Sequence, residues 1–304
     1  MRIAILSRNK SLHSIRRLLQ EAKKARISCD VINPLDCQLI VDGTQSAILY
    51  GGHPVPHYEA ILPRIGASIT SYGLAVVKQF EALGTYSING ATSIAQSRDK
   101  MWCLQVLMEA GLQVPATVLT RNPGSLRKAA QAVKGLPMVV KVLQGTQGVG
   151  VMLLHTPIAV RSVLDTLWGL GQDILLQQFI AEGAGRDYRA FVIGNKVVAA
   201  MKRTAVDGEF RSNIHQGGEG SLVELTPLYA RAAVKAARAV GLHIAGVDLM
   251  ESNSGPMILE VNSSPGFEGI EKATGLNIAS QIIKHMAHEA RVVAATRKKK
   301  KIKG

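Results

Sequence analysis

Asp248, Glu260 and Asn262 have the residue types and the spacing to grip a hard divalent cation. Glu260 and Asn262 lie two apart in the apolar run Met257-Ile258-Leu259-Glu260-Val261-Asn262. Strand side chains alternate, so these two share a face. The segment Ser252-Asn253-Ser254-Gly255 reads as a turn, and a hairpin centred on Ser254 sets Asp248 opposite Glu260. Val261 and Leu259 are then expected on the other face. Hard cations such as Mg²⁺ take oxygens of this kind, with water and substrate phosphates in the remaining positions. The plainer alternative pairs Asp248 and Glu260 with nearby Lys or Arg. Against it, two carboxylates side by side among Val247, Leu249, Ile258 and Leu259 repel each other unless a cation stands between them.

A second chemical stretch begins at Lys141 and runs through Gly145-Thr146-Gln147-Gly148-Val149-Gly150. Its glycines let backbone N–H groups approach phosphate oxygens. No Gly-Lys-Ser/Thr follows, so it is not a Walker A loop, and a glycine loop that leads into a strand is not a dinucleotide fingerprint. It fits a flap over a triphosphate, with Lys141 supplying positive charge; an ordinary hairpin is the alternative. Gln178 and Phe179 stand where a buried strand meets a loop. Such a hinge can hydrogen-bond adenine through its backbone and cover the base with Phe179, or it can be a strand ending in a core Phe. Asp187 can accept from ribose hydroxyls, or pair with Lys202, which a Gly194-Asn195 turn would place across the ladder. Arg211 suits an anionic oxygen by bidentate hydrogen bonding, and Asn213 can reach phosphate or metal-bound water. Gly217-Gly218 lets that loop fold over a ligand, and His215 reads as a positioning or structural residue rather than a base.

The elements that must position these residues follow from periodicity. Residues 1–96 alternate strands (2–6, 28–33, 60–62, 86–88) with helices (11–25, 71–83) and a hairpin over 47–55, which implies a parallel sheet covered by helices. Residues 97–180 hold a helix capped by Asp99 and ended at Gly111, strands at 117–119, 138–143, 151–154 and 173–179, and helices at 124–133 and 159–167. Residues 181–290 hold a hairpin of 186–193 with 196–203, a helix at 227–240 and strands at 244–251 and 257–261. The last helix is predicted over 278–296, and 291–304 form a basic tail expected to be disordered.

Composition narrows the class. The 304 residues are 47% hydrophobic, enough for two or three cores. No apolar run approaches the roughly 18–20 residues of a membrane span, and the N-terminal apolar stretch is too short for a secretory segment. Cys29, Cys37 and Cys103 are odd in number and widely spaced, which fits buried thiols in a reducing compartment, hence a cytoplasmic protein. The net charge is +14, and residues 297–304 carry six positive charges. Such a tail either attracts a polyanion (RNA, the ribosome surface, an acidic peptide) or merely keeps the end soluble.

Taken in order, Lys141 with its glycine loop, Gln178-Phe179, Arg211-Ser212-Asn213 and Asp248…Glu260-Val261-Asn262 resemble the ATP-grasp fold. More closely, Pro63-Arg64-Ile65-Gly66, Ser97-Arg98-Asp99-Lys100, Gly145-Thr146-Gln147-Gly148, Phe210-Arg211-Ser212-Asn213 and Glu260-Val261-Asn262-Ser263-Ser264-Pro265-Gly266 resemble the RimK family of ribosomal-protein glutamate ligases, up to about residue 290. The resemblance implies an α/β protein: an ATP-grasp fold of two α+β subdomains (97–180 and 181–290) enclosing ATP, after an N-terminal pre-ATP-grasp α/β domain (1–96). It implies an ATP-dependent α-L-glutamate ligase acting on the C-terminal carboxylate of a small-subunit ribosomal protein, or making polyglutamate, through an acyl phosphate. Lys100, Lys141, Gln178, Phe179, Asp187, Arg211, Ser212 and Asn213 would hold ATP, the co-substrate. Asp248, Glu260 and Asn262 would hold two Mg²⁺ or Mn²⁺ ions. Gln178 departs from the acidic residue usual at the hinge, which should alter affinity rather than abolish binding. Arg203, projecting beside the nucleotide, is the candidate for stabilising the acyl phosphate or tetrahedral oxyanion. The expected partners are ATP, L-glutamate, the ribosomal tail and a second copy of the chain in a homo-oligomer. Two rivals stay open: a ligase for a small-molecule or carrier-protein acceptor, and a non-catalytic, nucleotide-gated ribosome-binding module.

Overall fold

The computed structural model describes residues 1–121, 126–143, 150–206, 209–210 and 218–303, with side chains through 299. The N-terminal unit holds β1 (Arg2–Leu6), α1 (His13–Lys24), β2 (Ser28–Ile32), β3 (Cys37–Val41), β4 (Ser46–Tyr50), β5 (His53–Pro54), β6 (Ala60–Pro63), α2 (Thr70–Ala82), β7 (Tyr86–Ser87) and α3 (Ala91–Arg98). Its main sheet has the order β2-β1-β6-β7 and every pairing is parallel, as the strand–helix alternation predicts. β1 is apolar along Ile3–Leu6 because helices cover both of its faces. The hairpin predicted around Gly51-Gly52 is present as β4–β5, and β3 adds a third antiparallel strand. Tyr72 and Gln79 of α2 donate to the backbone oxygens of Cys37 and Ile40 and hold β3 in place.

The next unit contains α4 (Lys100–Glu109), β8 (Thr117–Thr120), α5 (Leu126–Ala132), β9 (Met138–Val142), β10 (Val151–Leu154), α6 (Pro157–Gly169) and β11 (Ile174–Gln178). Its four-stranded antiparallel sheet, β10-β9-β11-β8, packs one face on α5 and α6 through Met138, Val140, Leu164, Ile174 and Leu176. Asp99 caps α4 by accepting from the N–H groups of Met101 and Trp102, as its residue type predicts. The core residues of α4 face away from this sheet. Cys103 and Leu107 enter the core of the third unit.

That third unit comprises β12 (Arg186–Ile193), β13 (Lys196–Thr204), β14 (Glu219–Leu222), α7 (Pro227–Ala239), β15 (Ile244–Ser252), β16 (Gly255–Asn262), α8 (Glu268–Thr274) and α9 (Ile278–Lys303). Five antiparallel strands run in the order β14-β13-β12-β15-β16. One face, with Ala190, Val192, Val247, Leu249, Ile258 and Val261, is covered by α7 and α4. The other begins as core, where Phe191, Met201 and Ile244 meet Phe267, α9 and the underside of the N-terminal sheet. The same face then turns ionic. Helix α9 passes the predicted stop at Thr296 and continues to Lys303, so the tail expected to be disordered is helical backbone. Lys and Arg are good helix formers, their charge suits a helix C-terminus, and neither Gly nor Pro interrupts the run before Gly304. Among the described residues no helix is long and apolar enough to cross a membrane.

Candidate active site

The ionic end of the five-stranded sheet is built by register. Asp187 and Arg189, two apart on β12, share a face. Arg203 of β13 lies opposite Asp187, Asp248 of β15 opposite Arg189, and Glu260 of β16 opposite Asp248. Arg203 Nε donates to Asp187 Oδ1 at 2.6 Å, and its Nη2 donates to Asp248 Oδ2 at 2.9 Å. Arg189 holds Asp248 in a fork, with Nε to Oδ1 at 2.7 Å and Nη2 to Oδ2 at 2.6 Å. The same Nη2 lies 3.8 Å from Glu260. Asn262 Nδ2 donates to Glu260 Oε1 at 3.0 Å.

The predicted opposition of Asp248 and Glu260 is therefore present, by a different route. The turn residues are Asn253 and Ser254, with Ser252 paired to Gly255, and Leu259 falls out of register in a bulge that restores the Asp248–Glu260 pairing. Ile258, not Leu259, accompanies Val261 in the core. Asp187 faces Arg203 rather than Lys202, because a bulge between Phe191 and Val192 leaves Val198 unpaired and shifts the ladder by one. Arg189 escaped the sequence reading, although the period-two rule applied to Asp187 would have found it. It also supplies the cation that two adjacent carboxylates were argued to need.

The two carboxyls sit in opposite electrostatic settings. Burial alone would raise Asp248, but the Arg189 and Arg203 guanidiniums outweigh it and hold the carboxyl well below the usual range. Glu260 is raised, by its low-dielectric setting first and the Asp248 charge second. Its side chain is nevertheless 48% exposed, whereas Asp248 is 2% exposed. Arg203, expected to project beside the nucleotide, is 2% exposed with Nε and Nη2 taken by carboxylates. It orders Asp187 and Asp248.

Two amines approach from the neighbouring units. Lys100 leads α4, which packs on β16 and α7. Its Nζ donates to the backbone oxygens of Leu143 at 2.6 Å and Val142 at 3.3 Å, and so ties down the strand end from which the glycine loop leaves. Burial lowers the Lys100 and Lys141 amines, while the Glu260 charge acts on both in the opposite direction. The loop returns at Gly150, whose φ is +75° and whose added Cβ would meet Val142 at 2.3 Å; its carbonyl accepts from the Val142 N–H. At the hinge, Gln178 Oε1 accepts from Ala116 N–H at 3.4 Å, and the Gln178 N–H donates to Ala116 O. Gln178 shares its face of β11 with the core residues Ile174 and Leu176, its side chain is tied to the residue just before β8, and Phe179 is partly buried. A cavity of about 310 Å³ adjoins this hinge, lined by Gln178, Ile180, Ser252 and Met257 among others. The glycine loop at 144–149 and Arg211, Ser212, Asn213 and His215 lie outside the described residues.

The structure thus brings Asp187, Arg203, Asp248, Glu260 and Asn262 onto one sheet face, with Lys100 and Lys141 within electrostatic reach. An open carboxylate and an amide on one antiparallel sheet lie within reach of two amines, one of them on the neighbouring antiparallel sheet, a set of groups able to hold a polyphosphate with its cations. The comparisons carry this further. Residues 97–286 match the RimK-like ATP-grasp domain and residues 1–94 the RimK PreATP-grasp domain, so the chain belongs to the RimK family. It is 48% identical over 290 residues to a probable alpha-L-glutamate ligase of Marinomonas sp., covering 95% of this chain and 96% of that one. It is 49% identical over 290 residues to probable alpha-L-glutamate ligase 2 of Shewanella frigidimarina, covering 95% and 97%. Among solved structures, the ATP-grasp ligase PsnB complexed with minimal precursor has a TM-score of 0.74 at 18% identity, covering 94% of this chain and 98% of that one. The RimK domain ATP-grasp protein of Sphaerobacter thermophilus has a TM-score of 0.73 at 21% identity, covering 94% and 99%. At these identities the likeness is one of fold.

Proposed function

We propose that the chain joins L-glutamate to the C-terminal carboxylate of a small-subunit ribosomal protein, as the relatives named alpha-L-glutamate ligases and the RimK resemblance suggest. The carrying observation is the row Arg189–Asp248–Glu260, whose outer carboxylate is open while its inner one is locked. The residues fit divalent cations. Among the described residues Glu260 accepts from Asn262, its carboxyl is raised by burial first and by the Asp248 charge second, and Asn262 Oδ1 receives no donor. Glu260, Asn262 and the remaining lone pair of Asp248 would hold two Mg²⁺ or Mn²⁺ ions, which when bound neutralise charge on the triphosphate. A fold neighbour, PsnB, has been solved with minimal precursor, Mg and ADP.

In this reading the acceptor carboxylate oxygen attacks the γ-phosphorus, the bond to ADP breaks, and an acyl phosphate forms. The glutamate amine then attacks the acyl carbon, and phosphate leaves with the bonding pair. Lys141 sits at the root of the flap and faces the phosphates, and Lys100 holds that root in place. Phe179 and the hinge backbone cover adenine, and Arg211, Ser212 and Asn213 complete the nucleotide site. Arg203 acts as a positioning residue through Asp187 and Asp248. Closure of the glycine flap excludes water that would otherwise hydrolyse the acyl phosphate.

Phosphate release with ATP, glutamate and a Glu-ending peptide, read together with intact mass, tests the proposal. The expected result is acceptor-dependent phosphate and a mass gain of one or more glutamyl units. Phosphate release only with a small-molecule or carrier-protein acceptor would reassign the substrate. ATP binding without turnover would reject the ligase chemistry for this acceptor and favour a binding module.

A further inference from the structure

A second polar cluster lies away from the active site, where three parts of the chain meet. His243 precedes β15, His285 and Glu289 are one turn apart on α9, and Tyr86 belongs to β7. Among the described residues, His243, His285 and Glu289 are the one group of histidine, cysteine and acidic side chains whose donor atoms all lie within 4.8 Å of one another. His243 Nδ1 and His285 Nε2 are 3.4 Å apart. That is long for a hydrogen bond, yet two nitrogens each about 2.0–2.1 Å from a tetrahedral zinc are separated by about that distance. Glu289 Oε1 lies 4.0 Å from His285 Nδ1, the ring nitrogen that does not face His243, so its partly exposed side chain would have to swing toward Nε2 to share an ion with the two imidazoles.

The surroundings look built rather than incidental. Asn89 Oδ1 accepts from the backbone N–H groups of both His243 and Ile244, while its amide donates to Ile244 O and Ser263 O. The Gly194 N–H donates to His243 O at 2.7 Å. Gly194, at φ +59°, leaves the space for the His285 ring: a Cβ there would come within 2.8 Å of Cε1. The backbone of His243 is thus held on both sides, and the His285 ring occupies space that a side chain at 194 would fill. Burial lowers His285, opposed by Glu289 and assisted by His243 and His288. The Tyr86 ring packs edge-on against His243, and its buried hydroxyl has no hydrogen-bond partner. A buried hydroxyl without a partner, on a ring packed against His243 and within reach of the Glu289 charge, leaves a hydrogen bond that an ion-bound water could supply.

We infer that His243, His285 and Glu289 form a second cation site that takes a transition-metal dication of the Zn²⁺ class. Two imidazoles and one carboxylate are a recognised zinc donor set, and a water in the fourth position would satisfy the Tyr86 hydroxyl. Nitrogen donors separate this site from the all-oxygen row at Asp248, Glu260 and Asn262, which favours Mg²⁺. The ion would clamp α9 to the entry of β15 beside the N-terminal sheet, across the core these units share. The inference does not rest on the proposed glutamate chemistry.

The test uses the full chain, stripped with chelator and returned to excess Mg²⁺ so that the oxygen row is occupied. Titration with Zn²⁺ against a chelating dye should give one tightly bound ion per chain. Co²⁺ in its place should give the visible absorption of a four-coordinate nitrogen-bearing site. His285→Gln should abolish both signals, and Glu289→Gln should weaken Zn²⁺ binding by about tenfold or more. Zn²⁺ should raise the melting temperature of the wild-type chain and leave that of His285→Gln unchanged. No stoichiometric Zn²⁺ in the wild-type chain, or full retention by His285→Gln, overturns the assignment. The wild-type Co²⁺ spectrum decides the matter even where a variant fails to fold.

Discussion

Asp248 and Glu260 face each other across one rung of the β15–β16 ladder, yet they belong to different regimes. On the β12–β13 side Asp187, Arg189, Arg203 and Asp248 are all paired: Asp248 is forked by Arg189 and touched by Arg203, which also binds Asp187. On the β16 side Glu260 stands at the cleft with Asn262 beside it and the Arg189 guanidinium at 3.8 Å. The closed side is scaffold, because removing any member strands a buried charge. The open side carries a carboxylate whose solvation is spoiled by its neighbour, and a bound cation would relieve that cost. A site can thus hold its ligand-facing charge unsatisfied only because the adjacent rung is over-satisfied.

Breaking the closed side should give the largest effect. Arg203→Met leaves Asp187 buried without its main partner, and an uncompensated charge of this kind costs about 3–5 kcal/mol. Urea denaturation should show that loss, and turnover should fall with it. The double variant Asp187→Leu/Arg203→Met should recover most of the stability but not the turnover, which separates scaffold from chemistry. Next in size, Glu260→Gln on the open side should lower Mg²⁺-dependent turnover by about 10²–10³-fold, the scale of losing one major electrostatic contact in a transition state. Its fold should survive, since no partner is stranded. An Mg²⁺-independent rate equal to wild type would mean that the open carboxylate holds no cation.

The pH dependence of the metal-free chain sharpens the contrast through its sign. Asp248 is lowered in the folded state, so its contribution is present above the unfolded carboxylate range and lost as pH falls toward the folded value. Asp248→Asn should therefore destabilise at neutral pH, with the difference shrinking in acid. Glu260 is raised, so its ionised form works against folding above the folded value, and protonation removes that cost. Glu260→Gln should then melt slightly higher than wild type at neutral pH, again with a difference that shrinks in acid. Thermal melts of both variants across that range should diverge in opposite directions from wild type. Shifts of the same sign would erase the distinction between the two sides.

Much of this arrangement was legible. Alternation placed Glu260 and Asn262 on one face, and hairpin arithmetic set Asp248 opposite. That arithmetic succeeded although its turn centre was displaced, because the Leu259 bulge made up the difference. The same arithmetic failed for Asp187, where the extra Val198 shifted the partner from Lys202 to Arg203. Bulges carry no periodic signal, so two hairpins read by one rule gave opposite outcomes. The short elements β3, α3, β14 and α8 offered too few residues for a period to register. The approach of Lys100 to Glu260 depends on α4 turning its core residues toward β16 and α7, a non-local choice that no window along the chain contains.

The smallest prediction concerns that approach. Asp99 accepts from two N–H groups at the start of α4 and so fixes where Lys100 begins. Asp99→Ala should cost about 0.5–2 kcal/mol through the lost cap. Asp99→Asn keeps an acceptor of similar quality and removes only the charge, so its stability should stay near wild type. The Asp99 charge also acts to raise the Lys100 amine, against a larger effect of burial. With Asn at 99 the amine should therefore titrate lower, and any nucleotide affinity that depends on it should begin to fall at a lower pH. Affinity measured across alkaline pH for both variants separates the two roles. If Asp99→Asn behaves like wild type at every pH while Asp99→Ala loses both stability and affinity, the cap alone positions Lys100. If Asp99→Asn shifts the alkaline limb downward, the charge contributes as well, and the open side of the site is tuned from the helix that delivers its lysine.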